Sequence, residues 1–390
     1  MPCVPRLIVL ALLASSAGAQ TAADQSRPDV VAIGESLRAL RRPAERAGVP
    51  DYSPAAIARW RSGLAQLNAR HRALPVSQWP IPDRVDHAVV GTQLAALDFE
   101  LRVSQPWARD PGHWVDLIAS TPYATIPVPD TARSALTMRL DAVPGILDEA
   151  RRRLTKPSAG LTEIALFHLE QSDEVNQGEP RRPRPPAGVI GWYEDLLARA
   201  RTSDPSRVPS VERALAAVKS FRDWLRREMP RMTEPAFVGL DHYAWYVRHV
   251  RLVPWSVEQI RLIGERELAR ARTLLAIEQH RNRGLPELVP AATAEEHERR
   301  TREAESWIRS FTTREKLLTI PGDIPPQYET DAFFIDRSPW GGHRHFWDEI
   351  TYRDPLNNHI HASIPGHRFD GTLQRRHPRS VRRGNGDGTR

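Results

Sequence analysis

The sequence predicts a mainly α fold, and three observations predict it. Apolar residues recur at three- and four-residue spacing along most of the chain. Helix-start residues stand directly ahead of several of these runs. Strand-like alternation of apolar and polar residues is scarce.

Taken in order, Ser53-Pro54 reads as an N-cap with proline at the first helical position. Ile57, Trp60, Leu64 and Leu67 then follow on one face. Asp83 is expected to cap a second helix through Val85, Val89 and Phe99. A third spans residues 131–154, with Leu136, Leu140, Val143 and Leu147 on one face and Pro144 expected to kink it. Ser210 is expected to open a helix bearing Val211, Leu215, Val218, Phe221 and Leu225. Ser256-Val257-Glu258-Gln259 fits a capping box, and its helix is predicted to reach His280. Residues 294–311 read as a charged, surface-facing helix. The run His242-Tyr243-Ala244-Trp245-Tyr246 reads as helix core, with a substrate cleft as the alternative.

The chain opens with the pattern of an exported protein. Arg6 supplies a positive charge, Leu7 to Ala14 an apolar stretch, and Ala17-Gly18-Ala19 a small-residue cleavage site before Gln20. Residues 1–19 are therefore expected to be a signal peptide, and the mature protein to be periplasmic or secreted in a bacterium. The apolar stretch is too short for a membrane span, and no later segment predicts one. The single cysteine, Cys3, lies within the signal, so no disulfide is expected.

The net charge is +7. Six arginines against Asp387 in residues 375–390, together with Arg6, account for nearly all of it. A near-neutral body with a basic tail is not the electrostatic footprint of a nucleic-acid binder, so no nucleic-acid partner is expected. Glu179-Pro180-Arg181-Arg182-Pro183-Arg184-Pro185-Pro186 reads as a stiff linker, placing a possible subdomain break near residues 179–187. Residues 20–374 are thus expected to form an α-helical domain, and residues 375–390 a basic, disordered tail.

The chemistry concentrates in Asn357-Asn358-His359-Ile360-His361-Ala362-Ser363-Ile364-Pro365-Gly366-His367. Neutral imidazole is the commonest metal-ligating side chain. His359 and His361 share a face only if the segment is extended; on a helix they stand about 200° apart and cannot share an ion. His361 and His367 flank Pro365-Gly366, which interrupts a helix and lets the chain turn back so that both rings converge. The alternative is a polar loop of solvated histidines. His343 and His345 form a second, weaker pair. Asp370, Asp354, Glu349 and His359 are further candidate ligands; Asp370 shares a face with His367 if a helix follows.

The Pro365-Gly366-His367 core, with a histidine six residues before the last, resembles the H-E-x-x-P-G-H motif of the bacterial domain-of-unknown-function family 885. Further segments resemble that family: Ile81 to Asp86, Arg109-Asp110-Pro111, Val143 to Leu147, Val238 to Tyr246 and Ile263 to Leu268. The likeness is diffuse over residues 80–367 and most specific at the motif.

The resemblance implies a multi-helix, zincin-like metallopeptidase-type domain with few short strands, similar to zinc peptidases of the thermostable-carboxypeptidase kind. It implies zinc on His361 and His367, with a later glutamate as third ligand and a glutamate after the first histidine as general base. This chain has Ala362 at the base position, and it stops at the end of Gly386-Asp387-Gly388-Thr389-Arg390, which resembles the approach to the later glutamate. The domain is therefore expected to be incomplete at its C-terminus. The function expected is an exported zinc-dependent hydrolase of peptides or small amides, impaired or inactive as it stands. The alternatives are a non-catalytic peptide- or metal-binding relative and a truncated, non-functional fragment.

Overall fold

The computed structural model describes residues 24–124, 126, 130–171, 188–326 and 346–383. The predicted signal peptide and the linker near 179–187 lie outside the described residues. What is described is mainly helical, as the periodicity predicts.

The N-terminal part is a bundle around one core. Its helices are α1 (Pro28–Arg41), α2 (Pro54–Arg72), α3 (Ile81–Phe99), α4 (Pro106–Arg109), α5 (Pro111–Ala119), α6 (Asp130–Arg153), α7 (Ala159–Glu170), α8 (Gly188–Ser203) and α9 (Val208–Glu228). Two short antiparallel strands, β1 (Glu45–Arg46) and β2 (Val49–Pro50), join α1 to α2. The predicted faces meet in this core: Trp60, Leu64 and Leu67 from α2, Leu140, Val143 and Leu147 from α6, and Val218, Phe221 and Leu225 from α9. Such burial stabilises by roughly 25 cal/mol per Å² of apolar surface removed from water. Ser53 caps α2 as expected, its hydroxyl accepting from the Ala56 amide at 3.2 Å.

Two helix starts differ from expectation. α3 begins at Ile81, so Asp83 lies inside its first turn; its carboxylate accepts from Arg379 at 2.7 Å instead of capping. α9 begins at Val208, ahead of Ser210, because Pro209 already supplies a helical φ at its start. α6 continues on both sides of Pro144.

Past the bundle come α10 (Leu240–His249) and α11 (Val257–Asn282). The capping box at Ser256 and Gln259 is formed. No residue of α11 is buried, and Leu268, Leu274 and Leu275 are each at least half exposed. The helix-core reading of the 242–246 run is corrected: Val247 is the buried residue of α10, while Trp245 and Tyr246 lie against Phe99 on the bundle surface.

A second unit follows: α12 (Ala294–Arg314), α13 (Phe346–Arg353), α14 (Leu356–Ala362) and α15 (His367–Arg376). Ile308, Ile324, Ile364 and Phe369 form its apolar centre. α12 is charged on its outer face but not wholly surface-facing. His297, Thr301, Ala304, Glu305, Ile308 and Thr312 are buried along one side.

Residues 375–383 are not a disordered tail. Arg375 and Arg376 end α15, and the chain then docks on α1 and α3. Val381 is buried there, and Asp86 is fully buried between Arg379 and Arg382, at 2.7 and 2.6 Å. A basic composition suggested solvation; the acidic pocket of Asp83 and Asp86 holds the arginines instead.

Candidate functional site

The site is built on two short helices packed against α12. Asp354 starts α14, its carboxylate accepting from the Leu356 amide at 3.0 Å. Because the segment is helical, His359 and His361 project about 200° apart. His359 turns inward and is buried; His361 is exposed at the C-terminal end of α14. This corrects the extended alternative for residues 359–361, and with it the grouping of those two rings on one ion.

The chain then turns through Ser363 to Gly366, with a cis Ile364–Pro365 peptide, and α15 begins at His367. Gly366 is required here by close approach. A Cβ at this position would stand 1.9 Å from the carbonyl oxygen of His361 and 2.6 Å from that of Ile360. The turn brings the exposed ring of His367 edge-to-face against that of His361, with centroids 4.6 Å apart. The proline–glycine interruption does what its chemistry suggests: it converges two imidazoles that a continuous helix would separate.

Beneath the pair lies a buried polar contact. His359 Nε2 meets the carboxylate of Glu305 on α12, and each side chain is 2% exposed. Arg309 Nε donates to the other carboxylate oxygen at 2.6 Å, and its Nη2 donates to the Pro325 carbonyl at 3.0 Å. Burial alone would raise the Glu305 carboxyl; the hydrogen bonds from His359 and Arg309 outweigh it and hold the group below the usual carboxylate range. An ionised carboxylate only accepts, so His359 Nε2 carries the proton.

Of the other candidates, Asp370 follows His367 by three residues on α15 but is exposed and accepts from Gln374 Nε2 at 2.8 Å. Glu349 belongs to α13 by its backbone; its side chain lies outside the described residues, as do His343 and His345. Among the described residues no group of three or more His, Cys, Asp or Glu side chains is arranged to hold an ion. His361 and His367 are the two histidines that the turn brings into ring contact.

The sequence reading missed Glu305, and with it the role of α12. A usable signal exists: His297, Thr301 and Glu305 recur every four residues, and Ala304 and Ile308 lie on the same side of an otherwise charged helix. His297 is 1% exposed, packs edge-on against Tyr352 at 5.5 Å, and has no hydrogen-bond partner on either ring nitrogen among the described residues. A cleft of about 480 Å³ opens between α12 and the α13–α14 junction, lined by Leu288, Arg300, Trp307, Arg353 and Leu356.

Fold and site together define a multi-helix domain carrying a histidine pair at a proline–glycine turn. The chain belongs to the family described as bacterial protein of unknown function (DUF885), which it matches over residues 36–316. That stretch ends with α12, so membership rests on the bundle and α10–α12 and not on His361 and His367. Among curated proteins none matches the chain. Among solved structures it is similar to a "putative lipoprotein of unknown function" from Shewanella oneidensis, with 14% identity and a TM-score of 0.59. The likeness covers 92% of this chain and 72% of that one, and at this identity it shows the fold alone. No described helix is long and apolar enough to cross a membrane.

Proposed function

We propose that this chain is an exported, zinc-binding, peptidase-like member of its family. In this reading His361 and His367 provide half of a metal centre, and activity toward peptides or small amides is weak or absent. The observation that carries it is the convergence of the two exposed rings at 4.6 Å across a turn that only glycine permits. A zinc–imidazole bond is about 2.0–2.1 Å long, so the exposed rings would turn from this edge-to-face contact to aim a nitrogen each at one ion. The signal-like residues 1–19 support export. Zinc held there would polarise a substrate carbonyl. Two protein ligands leave the remaining positions to water, so affinity falls well below that of a structural zinc site.

A second reading, a non-catalytic binding protein, is favoured by Ala362. Its methyl side chain cannot take a proton, and a missing general base costs typically 10²–10⁴-fold in rate. Calorimetry with zinc chloride separates the possibilities. The proposal expects weak uptake that disappears in the His361→Ala, His367→Ala double variant. Uptake unchanged in that variant places the ion elsewhere and overturns the assignment. Chelator-sensitive hydrolysis of a peptide library by the unaltered chain would reject the binding-protein reading.

A further inference from the structure

We propose that Glu305 is a positioning residue for the His361–His367 pair, acting through His359. The inference rests on the metal-centre reading for its purpose, but its geometry stands independently. α14 is seven residues long, far short of the length at which a helix is stable alone in water. Its orientation must come from packing. The apolar contacts of Ile308, Ile364 and Phe369 hold it near α12 but are non-directional. The Glu305–His359 contact is directional, and it sits on the inward face of α14. His361 lies two residues on, about 200° around the helix. Fixing His359 inward therefore fixes His361 outward.

The other partner is anchored separately. His367 opens α15, whose Phe369 is buried in the apolar centre and whose amide donates to the Ser363 carbonyl at 3.1 Å. Rotation of α14 about its axis would thus move His361 while His367 stayed in place. Arg309 completes the device: it holds Glu305 at 2.6 Å and ties it to the carbonyl of Pro325, so the carboxylate is itself oriented before it meets His359.

The test uses the full chain in two states. In metal-free protein with labelled histidine, the ring protons of His361 and His367 should show a nuclear Overhauser contact. Glu305→Ala should abolish it, and Glu305→Gln, which keeps an acceptor for His359, should retain it. Ile308→Ala serves as control, destabilising the same helix pair without touching His359; it should retain the contact. With zinc chloride, Glu305→Ala should weaken binding about 10-fold, at the lower end for an outer-shell residue because it acts through a neighbour. A Glu305→Ala protein that keeps both the contact and the wild-type affinity, while melting lower, would show that Glu305 only stabilises the fold, and would overturn the proposal. If Glu305→Ala fails to fold, His359→Ala takes its place, since the proposal acts through that ring: a contact and a zinc affinity both retained there would overturn it. Absence of zinc uptake by the wild-type chain would reject the metal-centre reading, and the metal-free contact would still decide the positioning role.

Discussion

His71 and His87 stack face to face between α2 and α3, with ring centroids 3.6 Å apart and planes 11° from parallel. Each Nε2 also lies against the other residue's backbone carbonyl, at 2.9 and 3.2 Å. Carbonyls only accept, so both Nε2 atoms carry protons and both rings are set in one tautomer. Gly91 makes room: a Cβ there would stand 3.1 Å from the His71 ring.

This joint predicts acid sensitivity. Burial lowers the His71 pKa; the hydrogen bond to the His87 carbonyl opposes this in part, and the charges of His87 and Arg72 add smaller lowering contributions. Burial likewise pushes His113 down to about 4. In the unfolded chain these imidazoles take up protons as pH falls below about 6.5. The folded ones resist, so the unfolded state binds more protons and stability is lost as pH falls from there toward 4. The urea midpoint should drop across that window, and His71→Gln and His113→Gln should each flatten the slope. Comparing variants isolates the imidazoles from buried carboxylates such as Glu100, whose raised pKa gives the opposite slope. Unchanged slopes in both variants would assign the acid loss to other groups.

The docked C-terminal segment should contribute strongly to stability. Asp86 is wholly buried and is neutralised by Arg379 and Arg382. Removing both arginines strands a buried carboxylate, which typically costs 3–5 kcal/mol. The Arg379→Ala, Arg382→Ala double variant should show that loss in chemical denaturation. The amides of Gln25 and Ser380, which bond to Pro378 and Asp24 respectively, should also exchange faster. A loss under about 1 kcal/mol would mean that water reaches Asp86.

Gly366→Ala should break the histidine turn. The added Cβ meets backbone, which cannot step aside as a flexible side chain would. The expected cost is about 1–3 kcal/mol, as for overpacking elsewhere. Zinc uptake should fall with it. Wild-type uptake in this variant would show that the two rings need no fixed turn to share an ion.

Ala362→Glu should leave peptide hydrolysis near background. It restores a carboxylate at the expected base position but adds nothing to the two-imidazole donor set. Base and metal act in one mechanism, so repairing the first without the second gains little. Strong chelator-sensitive hydrolysis from this single substitution would show that the existing ligands suffice.

The helices were legible because their signals are local. The Ser53 cap, the Ser256–Gln259 box and the faces of α2, α6 and α9 depend on residues within a few positions of one another. The pairing of His361 with His367 was legible for the same reason: proline and glycine between them act on the backbone directly. Less legible were features whose partners are distant in sequence. His359 finds Glu305 54 residues away, and nothing near His359 announces that partner. Basic composition from Arg375 onward reads as solvated until Asp83 and Asp86, nearly 300 positions earlier, are brought beside Arg379 and Arg382.

By itself, then, the sequence determined the mainly helical class, the main helical faces and the turn that brings two imidazoles together, since helix periodicity and proline–glycine geometry are properties of neighbouring residues. Only the tertiary structure decided which histidine faces inward, which face of the charged α12 is buried, and where the basic segment docks. Each of those follows from desolvating a charged or polar group, and whether that is favourable depends on the partner the fold delivers.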